Sequence, residues 1–323
     1  MKRVPCLCLI AACASPAFAD PSLGVTSMTM AEDTGRPLAL TLWYPGEGGA
    51  PEAVGGNAVF EGVMAARGAT VDGDQLPLVL LSHGGLRSAG DSGAWLAAGL
   101  ADAGYLAVEI NAPRAANAAA AVDEIWRRPD DVSQALDHVL RVPEWSAYID
   151  PDRISVVGFA LGGTAAIALA GADFDVPSFI DSCAEVDGGP DCGWYAAQGV
   201  SLETVDQEAL AETRQDPRIR SAVAISPEYL GVFSGGGPSV VVPTLVISLG
   251  GQAASSDGGS LSQATLAETE VFDAFQLCTT AGPEILSEDG GDPAICGASS
   301  EARAEAHRRI VEEIVKFLRA SEG

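Results

Sequence analysis

Histidine is nearly missing from this chain: three in 323 residues, namely His83, His138 and His307. So few imidazoles exclude a multi-histidine metal site and leave little choice of general base. Basic residues are scarce too. Lysine and arginine together number 18 against 44 acids, a formal net charge of −26. That long-range field repels phosphate backbones and anionic lipid, so nucleic acid and membrane surfaces are poor partners. Beyond the N-terminal leader no run approaches ~18 consecutive apolar residues, and no later segment should span a membrane. No internal repeat or second domain boundary is visible, and no cofactor motif stands out.

The leader has the layout of an export signal: Lys2 and Arg3, an apolar run from Val4 to Ala12, then Ala17-Phe18-Ala19 before Asp20. Cleavage after Ala19 leaves residues 20–323 as one periplasmic or secreted α/β domain. Ile10-Ala11-Ala12-Cys13 offers a second reading, a lipoprotein box anchored through Cys13. Of seven cysteines, Cys6, Cys8 and Cys13 fall in the leader, and Cys183, Cys192, Cys278 and Cys296 remain. None of these four has C-x-x-C spacing, which speaks against metal. An even number in an exported chain suggests two disulfides with three possible pairings. Nearest-neighbour pairing, 183 with 192 and 278 with 296, is expected because each pair brackets one loop-like segment.

What is there alternates as an α/β chain does. Gly24 to Met30 and Leu38 to Tyr44 read as strands, followed by a surface excursion from Gly46 to Gly73 with at most one short helix near Val63 to Arg67. The central sheet should begin after it, at the continuous apolar run Leu76 to Ser82, which leads into His83-Gly84-Gly85. A helix from Gly90 to Ala103 and a strand from Tyr105 to Ile110 follow. Pro129 is placed to open a helix whose face is Val132, Ala135, Leu136, Val139 and Leu140. The state of the alanine-rich link Ala112 to Val122 stays open. Residues 171–220, with two cysteines and an acidic helical stretch from Glu203 to Arg214, interrupt the rhythm like a lid inserted over the sheet's carboxyl edge. Ser221 to Ile225 and Thr244 to Leu249 resume the strands, Glu268 to Phe272 reads as a weaker last one, and Ile310 to Leu318 stripe the terminal helix.

The organising stretch is Ile154-Ser155-Val156-Val157-Gly158-Phe159-Ala160-Leu161-Gly162-Gly163, a β-branched run that stops at glycine and reopens as a small-residue helix. It has the outline of a nucleophile elbow, G-x-S-x-G, with alanine at the serine's position. Its resemblance to the elbow of α/β-hydrolases implies main-chain oxyanion donors, here the N–H of Leu161 and one from Gly84, Gly85 or Leu86. The same glycines could equally serve only the tight turns.

Taken together, Leu42-Trp43-Tyr44-Pro45, Leu80 to Gly85, Trp126-Arg127-Arg128-Pro129-Asp130-Asp131-Val132, Ile149-Asp150-Pro151-Asp152-Arg153-Ile154 and the elbow resemble the α/β-hydrolase superfamily. The match is to the predicted dienelactone hydrolase group related to platelet-activating-factor acetylhydrolases. The resemblance implies an α/β-hydrolase fold and an esterase triad of serine, acid and histidine in that chain order, with no metal or cofactor. Carried over, the three positions hold Ala160, Gln252 and Val271. His307, near the right end of the chain, could serve as base or be an exposed helical residue, and Asp257 could replace the acid. Neither supplies a nucleophile. The expectation is a catalytically silent pseudo-hydrolase that binds a small ester-like or acidic ligand, or a protein partner. The alternative is an active hydrolase with its nucleophile moved to Ser226 or Ser82.

Overall fold

The computed structural model describes residues 23–30, 36–86, 88–184, 189–251 and 260–322. The leader, its cleavage and lipidation motifs, and both Gln252 and Asp257 lie outside the described residues.

Eleven strands form one mixed sheet: β1 Leu23–Thr29, β2 Ala39–Glu47, β3 Ala50–Val54, β4 Val63–Arg67, β5 Thr70–Val71, β6 Leu76–Ser82, β7 Leu106–Asn111, β8 Ile149–Phe159, β9 Ser221–Ile225, β10 Thr244–Leu249 and β11 Leu261–Leu266. Their order is β11-β10-β9-β8-β6-β7-β2-β1-β4-β3, with β5 paired to β2. From β11 to β7 every neighbour is parallel, and β2 then runs antiparallel to β7. The helices are α1 Ala94–Asp102, α2 Ala118–Ala121, α3 Glu124–Arg141, α4 Pro143–Ser146, α5 Leu161–Leu169, α6 Val176–Asp181, α7 Cys192–Ala197, α8 Gln207–Ala211, α9 Gly282–Glu288 and α10 Ser300–Ser321.

The continuous apolar reading of β6 has a direct cause. Val79 and Leu81 face a core shared with α1 and α10, while Leu78 and Leu80 face one shared with α3 and α5. Both faces are covered, so the strand cannot alternate with polar residues. Fully burying each such side chain contributes about 1.5–3 kcal/mol.

Several expectations fail. The short helix near Val63 is strand β4, antiparallel to β3 and parallel to β1 through Gly24↔Ala66. The supposed excursion is therefore part of the sheet, which begins at β1, because pairing on two sides outweighs the weak local preference of a Gly/Ala-rich stretch. The last strand is β11, parallel to β10, and not Glu268 to Phe272. There a capping box between Glu270 and Asp273 starts a single 3-10 turn, Val271–Ala274. Helix α3 opens five residues before Pro129, because Glu124 and Arg128 are fixed by a buried ion cluster described below. The acidic stretch 203–214 is mostly loop, carrying only the five-residue α8.

Both nearest-neighbour cysteine pairs form, Cys183–Cys192 with Cα atoms 5.2 Å apart and Cys278–Cys296 at 5.6 Å. Among the described residues no helix is long and apolar enough to cross a membrane.

Candidate active site

Strands β6, β8, β9 and β10 end on one edge of the sheet, and the elbow stands at its middle. Ala160 adopts φ 55°, ψ −122°, a backbone region that L-residues enter only under constraint. The turn is tight for the reason the glycine spacing suggested. A Cβ on Gly158 would lie 2.0 Å from the Gly162 oxygen, and one on Gly162 only 1.9 Å from the Ser82 oxygen. Neighbouring loops stitch it down: Ala160 N–H donates to the Ile225 oxygen at 3.1 Å, Glu228 N–H to the Ala160 oxygen at 3.2 Å, and the Thr164 hydroxyl to the Glu228 oxygen. The strained turn is fully built, and it presents the Ala160 methyl group.

The donors are divided. Gly84 N–H is spent on the Phe159 oxygen at 3.1 Å, and its own oxygen accepts from Gly162 N–H at 3.4 Å, which removes Gly84 from the expected donors. Among the described residues no acceptor is bonded to the N–H of Leu161, Gly85 or Leu86. The side chains of Leu161 and Leu86 sit in an apolar cluster with Phe179 and Tyr195 from the 171–220 stretch. Burial raises both the Tyr195 and Tyr229 phenols above the ordinary tyrosine range. A cavity of about 520 Å³ opens between α6 and the loop after β9, walled by Ser178, Asp181, Ser182, Tyr229 and Leu230.

The remaining sequence candidates have other engagements. Val271, in the 3-10 turn, is 46% exposed. Ser226 is tied into the backbone, its hydroxyl accepting Leu249 N–H at 3.1 Å. Ser82 is buried at the elbow with neither ring nitrogen of His83 bonded to it. His307 is neither a free base nor an exposed helical residue. Its ring stacks on Trp95 at 3.8 Å, its Nε2 donates to the Phe275 oxygen at 2.9 Å, and burial pushes its pKa down to about 4.

One pair escaped the sequence. His83 Nε2 lies 3.1 Å from the Ala274 oxygen, an acceptor only, so Nε2 carries the proton and Nδ1 receives the Ser92 hydroxyl at 3.2 Å. This is serine–histidine geometry, but burial pushes His83 down to about 3, too weak a base to activate an alcohol near neutral pH. The nine-residue separation could have drawn attention to the pair, and nothing in the sequence marks its orientation.

No family model and no curated relative matches the chain. Among solved structures it is similar to a ferulic acid esterase from Streptomyces cinnamoneus, with TM-score 0.58 and 17% identity over 94% of this chain and 91% of that one. At that identity the likeness establishes the fold, an α/β-hydrolase-like one.

Proposed function

We propose that this chain is an exported pseudo-hydrolase of the α/β-hydrolase type, one domain over residues 20–323 with 171–220 as a lid-like insertion. It binds a small ester-like or acidic ligand, holding an oxygen of that ligand on the N–H of Leu161 and of Gly85 or Leu86. The observation that carries this reading is Ala160 in an elbow conformation, with no acceptor among the described residues bonded to its flanking donors. A carbonyl or carboxylate suits such donors at a helix start. Two disulfides fit an oxidising compartment.

Loss of the triad serine costs about 10⁶-fold in turnover in tested hydrolases, so the family's acyl-transfer route should be silent here. The resemblance to dienelactone hydrolases adds that the acid and histidine positions are Gln252 and Val271, a threefold departure.

The test is stepwise. Native protein should hydrolyse p-nitrophenyl butyrate no faster than an Ala160→Asp control. Ala160→Ser alone should restore little, and Ala160→Ser with Gln252→Asp and Val271→His should restore esterase turnover, since a serine without its base stays a weak nucleophile. Native turnover well above the control overturns the reading. Fluorophosphonate labelling with peptide mapping then locates the serine responsible.

A further inference from the structure

Behind the donor loop lies a cluster of four charges that the proposed ligand chemistry does not require. Arg36 grips Glu124 through Nη1 and Nη2 at 2.9 and 2.8 Å, and Asp131 through Nε and Nη2 at 2.8 and 2.9 Å. Arg128 donates from Nε to Glu124 Oε2 at 3.1 Å and from Nη2 to the Gly85 oxygen at 3.1 Å. Glu124 and Asp131 are 2% exposed and Arg128 is 9%. Burying these ion pairs is a poor way to gain stability, since well-packed apolar groups of similar volume commonly do as well or better. What such a cluster does supply is direction. Arg36 fixes Glu124, Glu124 fixes the plane of the Arg128 guanidinium, and the far edge of that plane meets one carbonyl of the donor loop.

We infer that Arg128 is a positioning residue that aims the Leu86 N–H, and that Leu86 is therefore the second oxyanion donor. This rests on the ligand-binding reading above. The step from one atom to the other is covalent geometry. The Gly85 oxygen and the Leu86 N–H belong to one planar trans peptide, in which they point to opposite sides. Holding the oxygen on a buried guanidinium directs the N–H away from Arg128, and Ser88 N–H, 3.4 Å from the same oxygen, adds a second anchor. A positive donor on the oxygen also polarises the peptide and makes its N–H a better donor. Lysine cannot substitute. Its single ammonium lacks the fork that reaches Glu124 and Gly85 from one rigid plane.

The experiment follows amide resonances during titration with butanoate, in native protein, in Arg128→Lys, and in an apolar replacement of the whole cluster (Arg36→Met, Glu124→Leu, Arg128→Met, Asp131→Leu) that leaves no orphaned charge. In native protein Leu86 and Leu161 should shift together with one dissociation constant. In both variants Leu161 should still respond, Leu86 should not, and affinity should fall at least about tenfold, the effect of one good hydrogen bond. The apolar variant should keep its urea midpoint. Amide exchange of Gly84 and Ser88, read without ligand, should accelerate in the variants while β8 and α5 keep their protection. If Leu86 responds as in native protein, or its neighbours' exchange is unchanged, the positioning role is overturned. If butanoate moves neither amide in native protein, the binding reading fails, and the exchange data alone decide whether Arg128 orders the loop.

Discussion

A single methyl carries the functional question, and its backbone carries a cost. Ala160 sits at φ 55°, ψ −122°, in a region where a non-glycine residue is strained by about 1–3 kcal/mol. Glycine would relieve that strain, and would return about 0.4–1 kcal/mol of it through the greater freedom of the unfolded chain. Ala160→Gly should therefore raise unfolding stability by about 1 kcal/mol in urea melts, and a loss of stability would mean the elbow is not under strain. At this scale the sequence was informative wherever spacing alone imposes geometry. Gly158 and Gly162 announce a turn too tight for any Cβ, and the turn is there. Contacts between distant residues were out of reach. Arg36 meets Glu124 and Asp131 across 88 and 95 residues, and no local pattern says which acid a lone arginine will find once the sheet has formed.

Elements with their own hydrophobic period were legible, and those defined by partners were not. β6, β8 and α10 carry their signal internally. β4 and β11 are strands because a neighbour pairs with them, and β11, with exposed Ser262 and Gln263 at the sheet's edge, has no apolar period to read. The turn at 271–274 owes its place to several grips. His83 and Trp95 both donate to the Ala274 oxygen, His307 donates to the Phe275 oxygen, and the buried Arg303 donates to the Gln276 oxygen. The Cys278–Cys296 disulfide closes the segment behind it, across 18 residues against 9 for Cys183–Cys192. On the chain-entropy account, replacing Cys278 and Cys296 by serine should cost about 3 kcal/mol, somewhat more than the same change at Cys183 and Cys192. Parallel urea melts of the two double variants check both size and order. A smaller loss for the 278–296 pair would show that the four donors hold the turn without it.

Taken whole, the molecule couples its buried titrating groups to stability in opposite directions. His83 and His307 are held near 3 and 4 by burial, well below the ordinary 6.5. From 6.5 down to about 4 the unfolded chain binds up to two more protons than the native one, so acid destabilises the fold through them. Glu109 is the reverse. Burial, reinforced by the nearby Asp91 charge, raises it to about 8 against a Gly93 N–H bond that favours the ionised form. Between 4.5 and 8 the native protein keeps a proton that the unfolded chain has lost, so stability through Glu109 falls as pH rises. Together the three groups place their joint optimum near 6.5, with net slopes of about 1.4 kcal/mol per pH unit on either side, one proton's worth. The formal charge of −26 shifts the absolute curve by easing repulsion in acid, so the informative quantity is a difference between variants. Glu109→Gln keeps an oxygen for Gly93 N–H and removes the titration. Subtracting its urea-derived stability from that of native protein should give a curve that declines steadily from pH 4.5 to 8 and is flat below. A flat difference throughout would mean that Glu109 ionises as an ordinary carboxylate and that alkaline loss of stability arises elsewhere.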